Sequence, residues 1–187
     1  MRVFVALEPP DTLHKELQGA LKYFQSLRHK GITWVHPENL HLTVNFIGEV
    51  KEHRLENLKH VIGAQAARHR AVGLRAEGFE LFPHQQPRLL WLKLSGAQEE
   101  LSLLNRQLLS SMRELKIDAD PKKLKLHVTL GRIKTPQSPE FEREVLAYQI
   151  HKQVLSWETL TLYRSILRPE GPRYEIIEQY NLSQTEE

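Results

Sequence analysis

Two similar lobes of mixed helix and strand are what this sequence predicts, on three observations. A His-apolar-Thr-apolar tetrapeptide occurs twice, as His41-Leu42-Thr43-Val44 and as His127-Val128-Thr129-Leu130. Each copy follows the same succession, an apolar strand and then a long stretch of helical periodicity. The separation of the copies, 127 − 41 = 86 positions, also lays Val3-Phe4-Val5-Ala6-Leu7 onto Leu89-Leu90-Trp91-Leu92-Lys93. Two lobes turning their histidine strands toward each other follow from that repeat.

Taken in order, Arg2 to Leu7 reads as a buried strand, and Asp11 after two prolines as a helix N-cap. Leu13, Leu17, Ala20, Leu21, Phe24 and Leu27 recur at helical spacing, with Gly31 placed to end the helix. Ile32 to Val35 forms a short strand, and Pro37-Glu38-Asn39 turns the chain into Leu40 to Phe46, the first histidine strand. Leu55, Leu58 and Ile62 mark a second helix reaching about His69. Val72, Leu74 and Ala76 alternate, and Phe79 and Leu81 resume one residue out of phase, which predicts a bulge at Gly78. Pro83 and Pro87 bracket a polar loop read as the junction between lobes. Leu89 to Leu94 is a strand, and Leu101, Leu104, Leu108, Met112 and Leu115 stripe a third helix that ends before Pro121. The second histidine strand follows, then a short helix opening on Ser138-Pro139. Trp157 to Leu167 and Tyr174 to Leu182 read as two strands about the turn Pro169-Glu170-Gly171-Pro172, with Thr185 to Glu187 a frayed tail.

Composition narrows the function classes. The chain has 187 residues, 40% hydrophobic and 26% charged, ordinary for a globular protein. It has no cysteine, which excludes disulfides, thiolate nucleophiles and cysteine metal sites, and fits a reducing compartment. The apolar run Val3 to Leu7 is too short for a secretory signal, and no stretch approaches a membrane span, so the expected location is cytoplasmic. The net charge is +3 and the pI about 9.1. Placement says more than the total: Lys122, Lys123 and Lys125 lead into the second histidine strand, and Arg132 and Lys134 follow it. Cations bracketing that strand favour an anionic substrate.

In a strand, alternate side chains share a face. His41 and Thr43 therefore project together, and so do His127 and Thr129, with Leu42, Val44 and Phe46, or Val128 and Leu130, directed at the core. By the same alternation Asn45 shares the face of His41. Arg132 falls on the core side unless Gly131 permits a bulge that brings it round. A pair of imidazoles supplies an acid and a base near neutral pH. Hydrolysis of a phosphodiester needs both, one to take a proton from the attacking water and one to protonate the departing sugar oxygen. Thr43, Thr129 and Arg132 supply hydroxyls and a guanidinium for the non-bridging oxygens. No metal or cofactor is required. His53 and His60, seven apart on one predicted helix, have no carboxylate in a ligand pattern and are read as surface residues.

These segments resemble a known family. Val3-Phe4-Val5-Ala6-Leu7, Trp34-Val35, Glu38 through Thr43, Phe46-Ile47-Gly48-Glu49, Pro87-Arg88 through Trp91, and His127 through Arg132 look like the two-histidine (2H) phosphoesterases, specifically the LigT-like RNA 2′,3′-cyclic phosphodiesterases, once named 2′-5′ RNA ligases. Leu162-Tyr163-Arg164-Ser165 and Gly171-Pro172-Arg173-Tyr174 resemble the closing strands of that family. The resemblance implies an α+β fold, a single bilobal domain over 1–187 with antiparallel sheets lining a central cleft and helices outside. Its lobes would run from about 1 to 83 and 88 to 182, with exchange of terminal strands allowed. It implies opening of terminal RNA 2′,3′-cyclic phosphates to 2′-phosphates by a monomer, with His41 the proton donor and His127 the acceptor. Thr43, Thr129 and Arg132 would bind the phosphate. Val44-Asn45 departs from the Leu-polar pair of many members. The rival readings are the same site acting on 2′,5′-linked RNA or small cyclic nucleotides, in hydrolysis or ligation, and a non-catalytic RNA-binding module.

Overall fold

The computed structural model describes residues 1–184, so the expected frayed tail lies outside the described residues. Among the described residues nine strands form two antiparallel sheets. The first sheet has the order β3 (Leu42–Glu49), β1 (Arg2–Leu7), β8 (Thr159–Ile166), β9 (Arg173–Asn181). The second has the order β2 (Ile32–Trp34), β6 (His127–Ile133), β5 (Leu89–Ser95), β4 (Val72–Phe82), β7 (Val154–Trp157). Helices α1 (Asp11–Ser26), α2 (Leu55–Arg68), α3 (Gln98–Glu114) and α4 (Pro139–Ala147) complete the chain. Among the described residues no helix is long and apolar enough to cross a membrane.

The internal repeat is visible in strand order. In each sheet a histidine strand lies beside an apolar strand, β3 beside β1 and β6 beside β5. The chain does not divide at residues 83–88, however. That loop is the turn of an antiparallel hairpin, with Phe82 paired to Leu89 and Leu81 to Leu90. The strand following α2 leaves the first sheet and pairs with β5, while β8 and β9, following α4, return to lie beside β1. Each sheet thus takes strands from both halves, because a hairpin with a short turn pairs its own arms more readily than it splits them between lobes. The strand β7 carries no alternation strong enough to separate it from the following strand in the sequence.

Helix ends differ from the sequence reading in two places. Asp11 is the first helical residue rather than the cap, and its negative charge in the first turn suits the positive end of the helix dipole. The helix ends at Ser26, and Gly31 serves a later turn with φ +64°. The Gly31 carbonyl there accepts the Lys134 amide at 2.7 Å. A methyl group on Gly31 would overlap the Thr135 hydroxyl, which is bonded to the Lys30 carbonyl. Gly31→Ala is expected to destabilise the fold by about 1–3 kcal/mol through the left-handed backbone and that collision. A urea-unfolding midpoint equal to wild type would refute it. By contrast Ser138 caps α4 as expected, its hydroxyl accepting from the Phe141 amide. The β4 bulge falls between Ala76 and Gly78.

Helices cover the faces turned away from the histidines. Phe24 of α1 packs edge-on against Phe79 of β4 at 5.1 Å, and Asn105 of α3 donates to the Val44 carbonyl of β3. On the opposite face of the first sheet Phe4, Ala6 and Tyr163 form a small separate cluster with Tyr174. That face looks into the cleft.

Candidate active site

Two bulges decide what the cleft contains. On β3 the pairing with β1 runs Ala6 to Thr43, then Val5 to Asn45, so Val44 is the extra residue. On β6 the pairing with β5 runs Trp91 to Thr129, then Leu90 to Gly131, so Leu130 is the extra residue. Each bulge reverses the alternation beyond it. Asn45 is therefore buried and exchanges hydrogen bonds with α3. Its Nδ2 donates to the Asn105 carbonyl at 3.2 Å, and Asn105 Nδ2 donates to the Val44 carbonyl at 2.8 Å. Phe46, expected in the core, is 53% exposed and lines the cleft. On β6 the same reversal turns Arg132 outward to the face of His127 and Thr129. A Cβ at Gly131 would sit 3.0 Å from Ile32 Cγ2 and 3.2 Å from the Trp34 ring, tighter than ordinary contact.

One cavity of about 550 Å³ brings together all five residues named from sequence: His41, Thr43, His127, Thr129 and Arg132. His41 lies just ahead of β3 and His127 opens β6, so both rings stand at the entry of their strands. His41 is held at two points. Its Nδ1 is 2.6 Å from the Asn39 carbonyl and its Nε2 is 2.9 Å from the Thr43 hydroxyl. A carbonyl only accepts, so Nδ1 carries the proton of the neutral ring and the Thr43 hydroxyl donates to Nε2. Aromatic rings bed the imidazole, Phe4 at 5.0 Å and Tyr174 edge-on at 5.5 Å. Asn39 is itself tied to the β8–β9 turn, its Nδ2 donating to the Pro172 carbonyl at 3.2 Å.

His127 instead leans on an aromatic pair. Its ring lies 4.3 Å from Trp91, which stacks on Phe82 at 4.2 Å, and the Lys125 ammonium sits 5.1 Å above Phe82. The Trp91 indole N–H donates to Glu80 at 2.8 Å, fixing the stack. The buried Nδ1 of His127 has no hydrogen-bond partner among the described residues. Asn39, Phe4, Tyr174 and Trp91 lie outside the site read from sequence, since none belongs to the repeated tetrapeptide.

Burial pushes both imidazoles down from 6.5 to about 4. For His41 the Asn39 carbonyl opposes the shift and the Arg132 charge adds to it. For His127 the Lys125 carbonyl opposes it, while the Lys125 ammonium and His41 add to it. Before substrate binds, both rings are therefore neutral at pH 7. The shift has a consequence for stability. Between pH 6.5 and about 4 the unfolded chain binds protons that the folded site refuses, so stability is full above 6.5 and falls as the pH drops. Each histidine contributes a slope of at most about 1.4 kcal/mol per pH unit, less for the more exposed His127. Urea unfolding at pH 7 and pH 5 should show a smaller acid loss in the His41→Gln/His127→Gln double variant. Equal losses in the two proteins would sink the point.

Comparison with known proteins agrees with this arrangement. The family model described as LigT like phosphoesterase matches residues 7–91. The RNA 2′,3′-cyclic phosphodiesterase of Archaeoglobus fulgidus is 31% identical over 178 residues, covering 93% of this chain and 96% of that protein. The protein of the same name from Thermus thermophilus is 31% identical over 193 residues, covering 97% and 90%. Among solved structures, TT0787 of Thermus thermophilus superposes with a TM-score of 0.79 at 28% identity, covering 97% of this chain and 98% of that one. Escherichia coli LigT, crystallised with 3′-AMP, superposes with a TM-score of 0.74 at 21% identity, covering 98% of each chain. With a relative of that identity matched from end to end, this chain belongs to the LigT-like phosphoesterase family.

Proposed function

We propose that the chain hydrolyses terminal RNA 2′,3′-cyclic phosphates to 2′-phosphomonoesters, using His41 and His127 as acid and base without a metal. The observation that carries this reading is the convergence of two imidazoles, two threonine hydroxyls and one guanidinium on a single cavity. Binding the phosphate monoanion raises both imidazole pKa values from their level in the free protein, so one proton enters the pair with the substrate. Water then attacks phosphorus opposite O3′. His127 Nε2 takes the proton of that water, and His41 Nε2 gives its proton to O3′ as the P–O3′ bond breaks. The phosphate remains on O2′. Exchange with solvent returns the proton from His127 to His41.

The family resemblance supplies this assignment of roles, since both rings meet a backbone carbonyl and a cation. The Asn39 carbonyl at Nδ1 of His41 stabilises an imidazolium, which a proton donor must be at the start. The Lys125 carbonyl acts on His127 in the same sense, and a cation opposes it at each ring, Arg132 at His41 and Lys125 at His127. Thr43, Thr129 and Arg132 stabilise the charge that builds on the non-bridging oxygens. The exposed Phe46 ring offers a stacking face to the terminal base. An RNA substrate also agrees with the names of the relatives from Archaeoglobus and Thermus.

The test is turnover of an oligoribonucleotide ending in a 2′,3′-cyclic phosphate, in the presence of chelator, with the product identified by phosphorus NMR. A 2′-phosphate formed at an undiminished rate is the expected result. Dependence on added metal would overturn the mechanism, and cleavage only of 2′,5′-linked or small cyclic nucleotides would overturn the substrate.

A further inference from the structure

The cleft holds more positive charge than one cyclic phosphate can use. Four cations line it, Lys122, Lys123, Lys125 and Arg132, against two carboxylates, Asp120 and Glu170. Arg132 shares its face with His127 and Thr129, so it belongs to the reacting phosphate. The three lysines sit on a separate piece of chain, the connection from α3 to β6, which forms a strap along the cleft. The strap is fixed at both ends. The Asp120 amide donates to the Phe46 carbonyl at 2.9 Å, tying it to the first sheet, and His127 begins β6 in the second.

Its lysines are arranged rather than free. Asp120 accepts the Lys122 amide at 3.0 Å and lies 3.4 Å from the Lys122 ammonium. Lys125 is held above Phe82. Lys123 is exposed on the wall between them, and it and Lys125 have no carboxylate within ion-pair distance among the described residues. An ammonium group unmatched inside a cleft raises the local positive potential and draws in a second anion.

We infer that the Lys122–Lys125 strap is a second phosphate subsite, which takes the internucleotide phosphate on the 5′ side of the terminal nucleotide. This inference rests on the proposed reaction and narrows its substrate to a single-stranded polynucleotide end rather than a mononucleotide. A mononucleoside cyclic phosphate fills the histidine site and leaves the strap unused. An oligonucleotide occupies both, with its terminal base toward Phe46, where the strap begins.

The experiment compares kcat/KM for a mononucleoside 2′,3′-cyclic phosphate and for a tetranucleotide with the same end, in wild type and in Lys122→Ala/Lys123→Ala. Lys125 is left in place because its charge acts on His127. Wild type should prefer the tetranucleotide, and the double variant should lose about 10-fold of that preference. Its log–log salt slope on the tetranucleotide should become shallower by about 1.4, the value for two single-strand phosphate contacts. Lys134→Ala, a lysine outside the cavity wall, should keep the wild-type preference. A wild type with equal kcat/KM on both substrates, or a double variant with undiminished preference, overturns the subsite while leaving the proposed reaction standing. Failure of wild type on both substrates overturns the reaction and the subsite with it.

Discussion

Replacing either His41 or His127 by alanine is expected to lower turnover of a cyclic-phosphate oligonucleotide by at least ~100-fold, the low end for loss of one general acid or base. The two losses should not multiply. Each histidine works only with its partner, so the double variant should be little worse than the poorer single variant. Alanine at 41 also removes a ring packed on Phe4 and Tyr174, so unfolding must be separated from lost chemistry. His41→Gln, which keeps most of the volume, and a melting curve recorded well above pH 6.5 serve that purpose. A folded single variant with the wild-type rate would defeat the assignment of that residue.

The pH profile of the wild type carries a further signature of the pair. The reactive form holds one proton on two imidazoles, and the free protein gives that proton up at about 4. The value of kcat/KM, which reports the free enzyme, should therefore rise as the pH falls from 8 toward 5. The value of kcat should depend on pH less steeply there, because bound phosphate raises the imidazole pKa values. The direction follows from the sign of the shift: a depressed pKa makes the protonated partner the scarce one at neutral pH.

How far sequence carried the fold depended on which physical constraint set each position. The motif residues are legible because no bulge intervenes between His41 and Thr43 or between His127 and Thr129, although β3 begins at Leu42 rather than Leu40 and leaves His41 one residue ahead of the strand. Alternation breaks one step further on: Asn45 and Phe46 lie on the faces opposite to those it predicts, because the extra residue at Val44 is held by Asn105 of a helix 60 positions away from Asn45. No local signal marks it. Gly131 marks the second bulge in the sequence, and in the fold it packs closely under Ile32 and Trp34. The aromatic bed of His41 was out of reach for another reason. It depends on β8 and β9 lying beside β1, and that order follows from the exchange of strands between sheets. The 86-residue repeat matches the neighbouring pairs β1–β3 and β5–β6 because it is a property of each half before the exchange occurs.

Arg132→Met is expected to cost about 100- to 1000-fold in kcat/KM, as loss of a donor aimed at transition-state charge does. The two lobes explain why so much rests on one residue. The repeat offset of 86 pairs Arg132 with Phe46, and both follow a bulge that turns them into the cleft. The pseudo-symmetric positions therefore supply one guanidinium and one aromatic ring, and among the described residues Arg132 is the one arginine lining the cleft. Lysine at 132 should restore little, since it keeps the charge but not the planar fork that meets two phosphate oxygens at once. Phe46→Ala should behave differently, raising KM by about 10-fold with kcat largely retained, because a stacked base is bound equally in ground and transition states. If Arg132→Lys kept the wild-type rate, or if Phe46→Ala lost kcat as severely as Arg132→Met, the division of labour between the two walls would be wrong. Steady-state kinetics on the tetranucleotide distinguishes the cases, since one wall should report in the rate of the chemical step and the other in affinity.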